Sequence, residues 1–173
     1  MPIGTVYTVM PIPPEEDVTT YLPAGAITLG VEVRVVDDAL VGAQFKDATP
    51  QQQAEIAANK PANLNDGGVS VHVCSSRDRT EYLRFDCFRI EPHYHYISSA
   101  GDSQEIIKFD TVANGDMLDW AIGRVATRMP EMLRRAGAIQ LADEVDEAAI
   151  DKALPQIRAA CDEARQRAAP PTS

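Results

Sequence analysis

The apolar positions of this chain repeat every second residue through its middle and every third or fourth residue in its last third, which predicts strands followed by helices. In "AITLGVEVRVVDD" the alternation puts Val31, Val33 and Val35 on one face of a strand and Glu32 and Arg34 on the other, a strand with one wet face. "ATPQQQAEIAANKPANLN" predicts a short helix capped by Thr49, with Pro50 in its first turn and Gln52 completing a capping box, stopping before Pro61. "NDGG" turns the chain into "VSVHVC". From there a meander follows: a turn at "SSRDRT", a strand in "EYLRFDCFRI", a break at Glu91 and Pro92, then "HYHYI", "SSAGD" and "QEIIKFD".

After Asp116 the period changes. Leu118, Ile122, Val125, Met129, Met132 and Leu133 form one apolar stripe that ends at Gly137, with Pro130 kinking or restarting the helix. Asp146 caps a second stripe of Ile150, Leu154, Ile157, Cys161 and Ala164, with Pro155 inside it. The order predicts an α+β domain, an antiparallel meander with a C-terminal helical hairpin packed on one face. The other face is expected to be open to solvent or to a partner. Residues 1–17 are expected to be a short strand and a proline-rich acidic surface connector, "PIPPEED". A single domain then spans 18–168, with its sheet over about 26–110, its helices over about 116–168, and a disordered tail at 169–173.

The hairpin between "VSVHVC" and "LRFDCF" has a preferred register. Placing Val69, Val71, Val73, Leu83, Phe85 and Cys87 on one face leaves Ser70, His72, Cys74, Arg84, Asp86 and Phe88 on the other, whereas a one-residue slip mixes the two sets. The register chosen sets His72 opposite Asp86. His93 and His95, two apart on a strand, project to one side, as an H-x-H pair does when it presents two imidazoles to one ion. If that side also carries His72 and Asp86, three nitrogens and a carboxylate converge into a site for a divalent transition metal, zinc or iron. His72, His93 and His95 are thus the candidate metal ligands, and Asp86 or Glu105 the candidate fourth ligand or general base.

Charge and cysteine content narrow the classes. The net charge is −10, with nine acids against three bases in residues 1–66, so counterion release offers no route to nucleic-acid binding. Cys74, Cys87 and Cys161 are odd in number and lack C-x-x-C spacing, which argues against a disulfide framework and for a cytoplasmic home. No signal-like, membrane-spanning or lipidation pattern is present.

The stretch from "DGGVSVHVC" through "LRFDCF", "PHYHY" and "MPEMLRRAGA" resembles an uncharacterised family of small acidic bacterial proteins, over roughly residues 67–160. The resemblance implies a recurring α+β domain and brings no assigned activity or functional residues. Two functional readings stay open. One is a non-catalytic cytoplasmic ligand-binding or assembly component that acts through an exposed sheet face, with a protein or small-molecule partner. It is expected to be a homodimer with Tyr94, Tyr96, Phe88 and Trp120 at contacts. The other is a small metal-dependent enzyme, hydrolytic or oxygen-using.

Overall fold

A computed structural model describes residues 1–169. The tail expected at 169–173 therefore lies, from residue 170 on, outside the described residues. Among these, seven antiparallel strands form one sheet: β1 (Thr5–Tyr7), β2 (Thr20–Ala24), β3 (Ile27–Asp37), β4 (Asn65–Ser75), β5 (Glu81–Phe88), β6 (His93–Ile97) and β7 (Gln104–Lys108). Their order is β1-β7-β6-β5-β4-β3-β2, so the chain meanders strand by strand from β2 to β7. Between β3 and β4 lie α1 (Asp38–Gln44) and α2 (Pro50–Asn59). After β7 come α3 (Thr111–Asn114), α4 (Met117–Thr127), α5 (Met129–Arg135), α6 (Ile139–Glu144) and α7 (Glu147–Ala168).

The predicted caps form. Thr49 accepts from the Gln52 amide while the Gln52 side chain accepts from the Thr49 amide, and Asp116 and Asp146 accept from the amides of Asp119 and Ala149. Pro130 separates α4 from α5, whereas Pro155 sits on the exposed side of α7 without ending it. Strand β2 and helix α1 went unforeseen. Gly25, at φ +68°, turns β2 into β3, and Asp37 caps α1 by accepting from the Leu40 amide.

One face of the sheet is the apolar core. Leu29, Val31, Val71, Leu83 and Phe85 lie under Leu118, Val125, Met129, Leu133, Ile150, Ile157 and Cys161, all buried. Tyr94 and Tyr96 belong to this face too, half-buried, with the Tyr94 ring 5.2 Å from Trp120. The two tyrosines expected at a dimer contact thus pack in part against the protein's own core.

The opposite face is covered as well, which corrects the expectation of an open sheet. Strands β1 and β2 lie at opposite edges, so the 8–19 segment must cross six strand spacings, roughly 29 Å at about 4.8 Å each. With Glu16–Val18 in a short 3-10 turn and the other residues extended, that segment reaches roughly 34 Å at about 3.1 and 2.0 Å per residue. "PIPPEED" is thus a strap rather than a loose connector. Arg34 donates to the carbonyls of Ile12 and Pro13, and the Glu15 amide donates to Glu32. Gln52 donates to the Thr8 carbonyl and fastens the strap to α2. Where the strap returns toward β2, a Cβ on Gly30 would lie 3.1 Å from Thr19 and Tyr21, so the glycine makes room for it.

Candidate functional site

Under the strap the alternate residues of β3, β4 and β5 are polar and buried: Glu32, Arg34, Ser70, His72, Arg84 and Asp86. Buried charge is tolerated only when paired, and these groups sort into two clusters. In the first, His72 has both ring nitrogens against carboxylates, Nδ1 on Glu81 and Nε2 on Glu32 at 3.1 Å. Ionised carboxylates only accept, so both nitrogens donate and the ring is an imidazolium. Burial opposes that charge, but the bonds to Glu32 and Glu81 outweigh it and raise the pKa above 6.5. Burial likewise opposes the Glu81 charge, yet Arg84, whose Nε and Nη2 donate to its two oxygens at 2.9 and 2.7 Å, holds it down at about 2. Glu32 is completed by Arg34 at 3.1 Å and by the Thr19 hydroxyl at 3.0 Å.

The second cluster lies two strands from His72. Asp86 pairs with His93 across β5 and β6, and Arg84 pairs with His95, so both histidines project to the face of Asp86. His95 Nε2 lies 3.0 Å and His93 Nε2 3.3 Å from Asp86 Oδ2, and one ligand atom from each of the three residues lies within 4.8 Å of the others. Metal bonds of about 2.0–2.2 Å place adjacent ligand atoms roughly 2.9–3.4 Å apart, so both Asp86–His separations fit a shared ion. The outer nitrogens are fixed. His93 Nδ1 meets the Glu91 carbonyl at 2.7 Å and His95 Nδ1 meets Gln104 Oε1 at 2.7 Å, acceptors that keep the protons on Nδ1. Both Nε2 lone pairs then face the Asp86 carboxylate. That arrangement is repulsive unless a cation, proton or metal, sits among the three atoms.

Burial alone would raise the Asp86 pKa, but the contacts of His93 Nε2 and His95 Nε2 with its Oδ2 hold it well below 3.8. Burial opposes a charge on His93 also, and the bond to Asp86 raises its pKa regardless. For His95 burial prevails and the pKa is lowered, which keeps it neutral. A proton on His93 thus satisfies one edge of the trio and leaves the other open. The Ser70 hydroxyl donates to the second Asp86 oxygen, and Phe88 backs His93 edge-on at 5.6 Å.

Above this trio lies a cavity of about 190 Å³. Its floor is Asp86, His93, His95, Gln104, Arg34 and Arg84, and its roof, formed by the strap with α1, α2 and the loop that follows, is mostly apolar but carries Asn59 and Lys60.

Compared with known proteins, residues 21–161 match the family described as "Domain of unknown function (DUF7700)". The chain belongs to this family. No curated protein and no solved structure matches it. Asp86, His93, His95, Gln104, Arg34 and Arg84 all fall within the DUF7700 match, whereas β1 and the strap precede it.

Against the sequence expectations, this DUF7700 chain brings Asp86, His93 and His95 together and leaves two candidates elsewhere. His72 stands opposite Arg84, not Asp86, because the turn is short, with the Ser75 amide donating to the Thr80 carbonyl, and a one-residue bulge sets Cys74 against Glu81. Arg84 then separates His72 from His95, two strands and roughly 10 Å away across the sheet. Glu105 is on the helix-covered face, where it accepts from the amides of Ile3 and Gly4 and pairs with Arg135 at 2.8 Å. Cys74 is no nucleophile, since burial pushes its thiol up to about 12. The pattern did not single out Glu32, Arg34, Glu81, Arg84 or Gln104. The available signal was the strict alternation of charges of opposite sign with apolar residues in "VEVRV" and "LRFDCF". Among the described residues no helix is long and apolar enough to cross a membrane.

Proposed function

We propose that Asp86, His93 and His95 hold one divalent transition metal ion, zinc or iron, at the floor of a small-molecule cavity, and that the protein is a small metal-dependent enzyme. One observation carries this reading. Two Nε2 atoms and a carboxylate oxygen converge, and both imidazoles have their other nitrogen committed to an acceptor. Two histidines and one carboxylate leave coordination positions open, the arrangement used by non-haem iron oxygenases and, with water in the open position, by hydrolytic zinc sites. Here the open positions would face the cavity. The metal would polarise an oxygen of a bound molecule or lower the pKa of a bound water. Asp86 and the two histidines supply its ligands, while Glu91, Gln104 and Ser70 orient them.

A second reading keeps the metal and drops the turnover, and the floor itself favours it. Asp86, the one carboxylate of the floor, is engaged by Ser70 and the two histidines and would be a ligand, so the floor offers no general base. In that case the ion holds a ligand without transforming it. The cysteines are unpaired, which supports a reducing compartment, and the cytoplasm is the location we infer.

The test is elemental analysis of untagged protein after incubation with zinc, iron(II) or cobalt(II) and desalting. One ion per chain, abolished by replacing His93 and His95 together with Gln, is the expected result. A wild-type protein that retains none of the three overturns the proposal.

A further inference from the structure

Arg34, Lys60, Arg84 and Lys108 line the cavity beside Asp66, Asp86 and Glu91, and each of these cations faces a carboxylate: Glu32, Asp38, Glu81 and Glu91 respectively. The acids are also occupied. Asp66 accepts from the amides of Gly67, Ile90 and Glu91, Asp86 holds Ser70 and the histidines, and Glu91 faces Lys108 at 3.6 Å.

Arg84 differs from the other cations. It is only 2% exposed, its Nε and Nη2 are taken by Glu81, and its Nη1 has no hydrogen-bond partner among the described residues. It lines the cavity between His95 on one side and His72 on the other, two residues from Asp86 on the same face. A buried guanidinium with a spare donor beside a metal centre is built to meet an anion. The roof sets the rest of the ligand. Val9, Ile12, Val41, Phe45, Ile56 and Leu64 offer only apolar side chains, and about 190 Å³ is the space of roughly six waters. A carboxylate needs no more than Arg84 Nη1 and the ion, and leaves a short aliphatic body for these apolar side chains.

We infer that the cavity takes a small organic acid, its carboxylate between Arg84 Nη1 and the open positions of the ion and its short aliphatic body under the apolar side chains of the roof. The inference deepens the metal reading above and rests on it for one of the two carboxylate contacts.

The experiment uses the full chain loaded with cobalt(II), whose visible spectrum reports its ligands. Metal uptake is read first. The loaded protein is then titrated with butyrate, butan-1-ol and butylamine, by the cobalt spectrum and by calorimetry. Butyrate should change the spectrum, saturate at one equivalent, and bind about tenfold or more tightly than the alcohol, with the amine weaker still. Arg84→Lys, which keeps the charge but loses the fork, should weaken butyrate about tenfold or more while still taking up one cobalt. One cobalt bound with butyrate, alcohol and amine binding alike, or with none of them binding, overturns the organic-acid inference and leaves the metal reading standing. Should Arg84→Lys not fold, the acid-against-alcohol comparison on wild type decides. If no cobalt is taken up, the metal reading fails, and calorimetry on the metal-free protein decides the anion claim: preference for butyrate supports it, and no preference overturns it.

Discussion

The two faces of the sheet are built from the same strands by the same alternation, yet they hold the protein together in opposite ways. On the helix side Val71, Leu83 and Phe85 meet Leu133 and Ile157, and every side chain removed from water lowers the free energy of the fold. On the strap side Glu32, His72 and Arg84 are buried as deeply, with Glu81 close behind at 11% side-chain exposure, and each carries charge whose desolvation its partners must offset. An apolar face would have been simpler to build there. A face of costly buried charge beside a cavity is the arrangement that the proposed metal site would call for.

The comparison can be broken by mutation. On the strap side, Arg84→Ala leaves Glu81 buried without its bidentate partner and should destabilise by about 3–5 kcal/mol. Replacing His72, Glu81 and Arg84 together with apolar residues of similar volume should recover most of that loss, because the desolvation cost vanishes with the charges. A triple variant less stable in denaturant than Arg84→Ala would show that the network stabilises the fold outright. On the helix side no such rescue exists. Leu133→Ala or Ile157→Ala, both at 0% exposed positions, should each cost about 2–5 kcal/mol. Losses below about 0.5 kcal/mol for both would contradict the packing described here.

The charged face should also respond to pH where the apolar face does not. Folding raises the His72 pKa above 6.5, so its stabilising contribution is complete below that value and lost as pH rises through the folded pKa. Folding depresses Glu81 from 4.5 to about 2, so its contribution is present above 4.5 and lost as pH falls toward 2. The pair is therefore strongest between these windows. The advantage of wild type over His72→Gln should shrink on going alkaline, by at most about 1.4 kcal/mol per pH unit for one proton. An advantage that is flat from pH 6 to 9 would contradict an imidazolium at His72. The smallest effect is expected at the trio: the His93→Gln, His95→Gln double variant keeps hydrogen-bonding capacity and should change metal-free stability by under about 1 kcal/mol, as followed by denaturant melts.

Much of this architecture was legible in the chain, and the failures share a cause. Alternation in "VSVHVC" and "LRFDCF" assigns each side chain to its face, and the helix caps at Thr49, Asp116 and Asp146 are local signals that the fold has no reason to override. Register is different. A strand slipped by two residues keeps every side chain on its face, so apolar sorting could not distinguish His72 opposite Asp86 from His72 opposite Arg84. The short turn that pairs Ser75 with Thr80, together with the one-residue bulge at Cys74, decides it, and nothing in the composition announces either. The strap was missed for a reason of topology, since only the placement of β1 beside β7 forces "PIPPEED" across the sheet. With the strap unseen, Glu32 and Arg34 read as a wet face, and the buried network could not be recognised. Glu105 was chosen by distance along the chain, and parity in β7 puts it on the wrong side, where Gln104 is the residue that reaches His95.

The central claim is that one face of this sheet is a metal centre at Asp86, His93 and His95, with His72 serving only the charge network. Anomalous diffraction from crystals soaked in zinc or cobalt tests it most directly. The account predicts one strong peak about 2.0–2.2 Å from Asp86 Oδ2, His93 Nε2 and His95 Nε2, with none at His72 and Glu81. A peak at His72, or no peak within reach of the trio in protein that diffracts with the cavity intact, would contradict it.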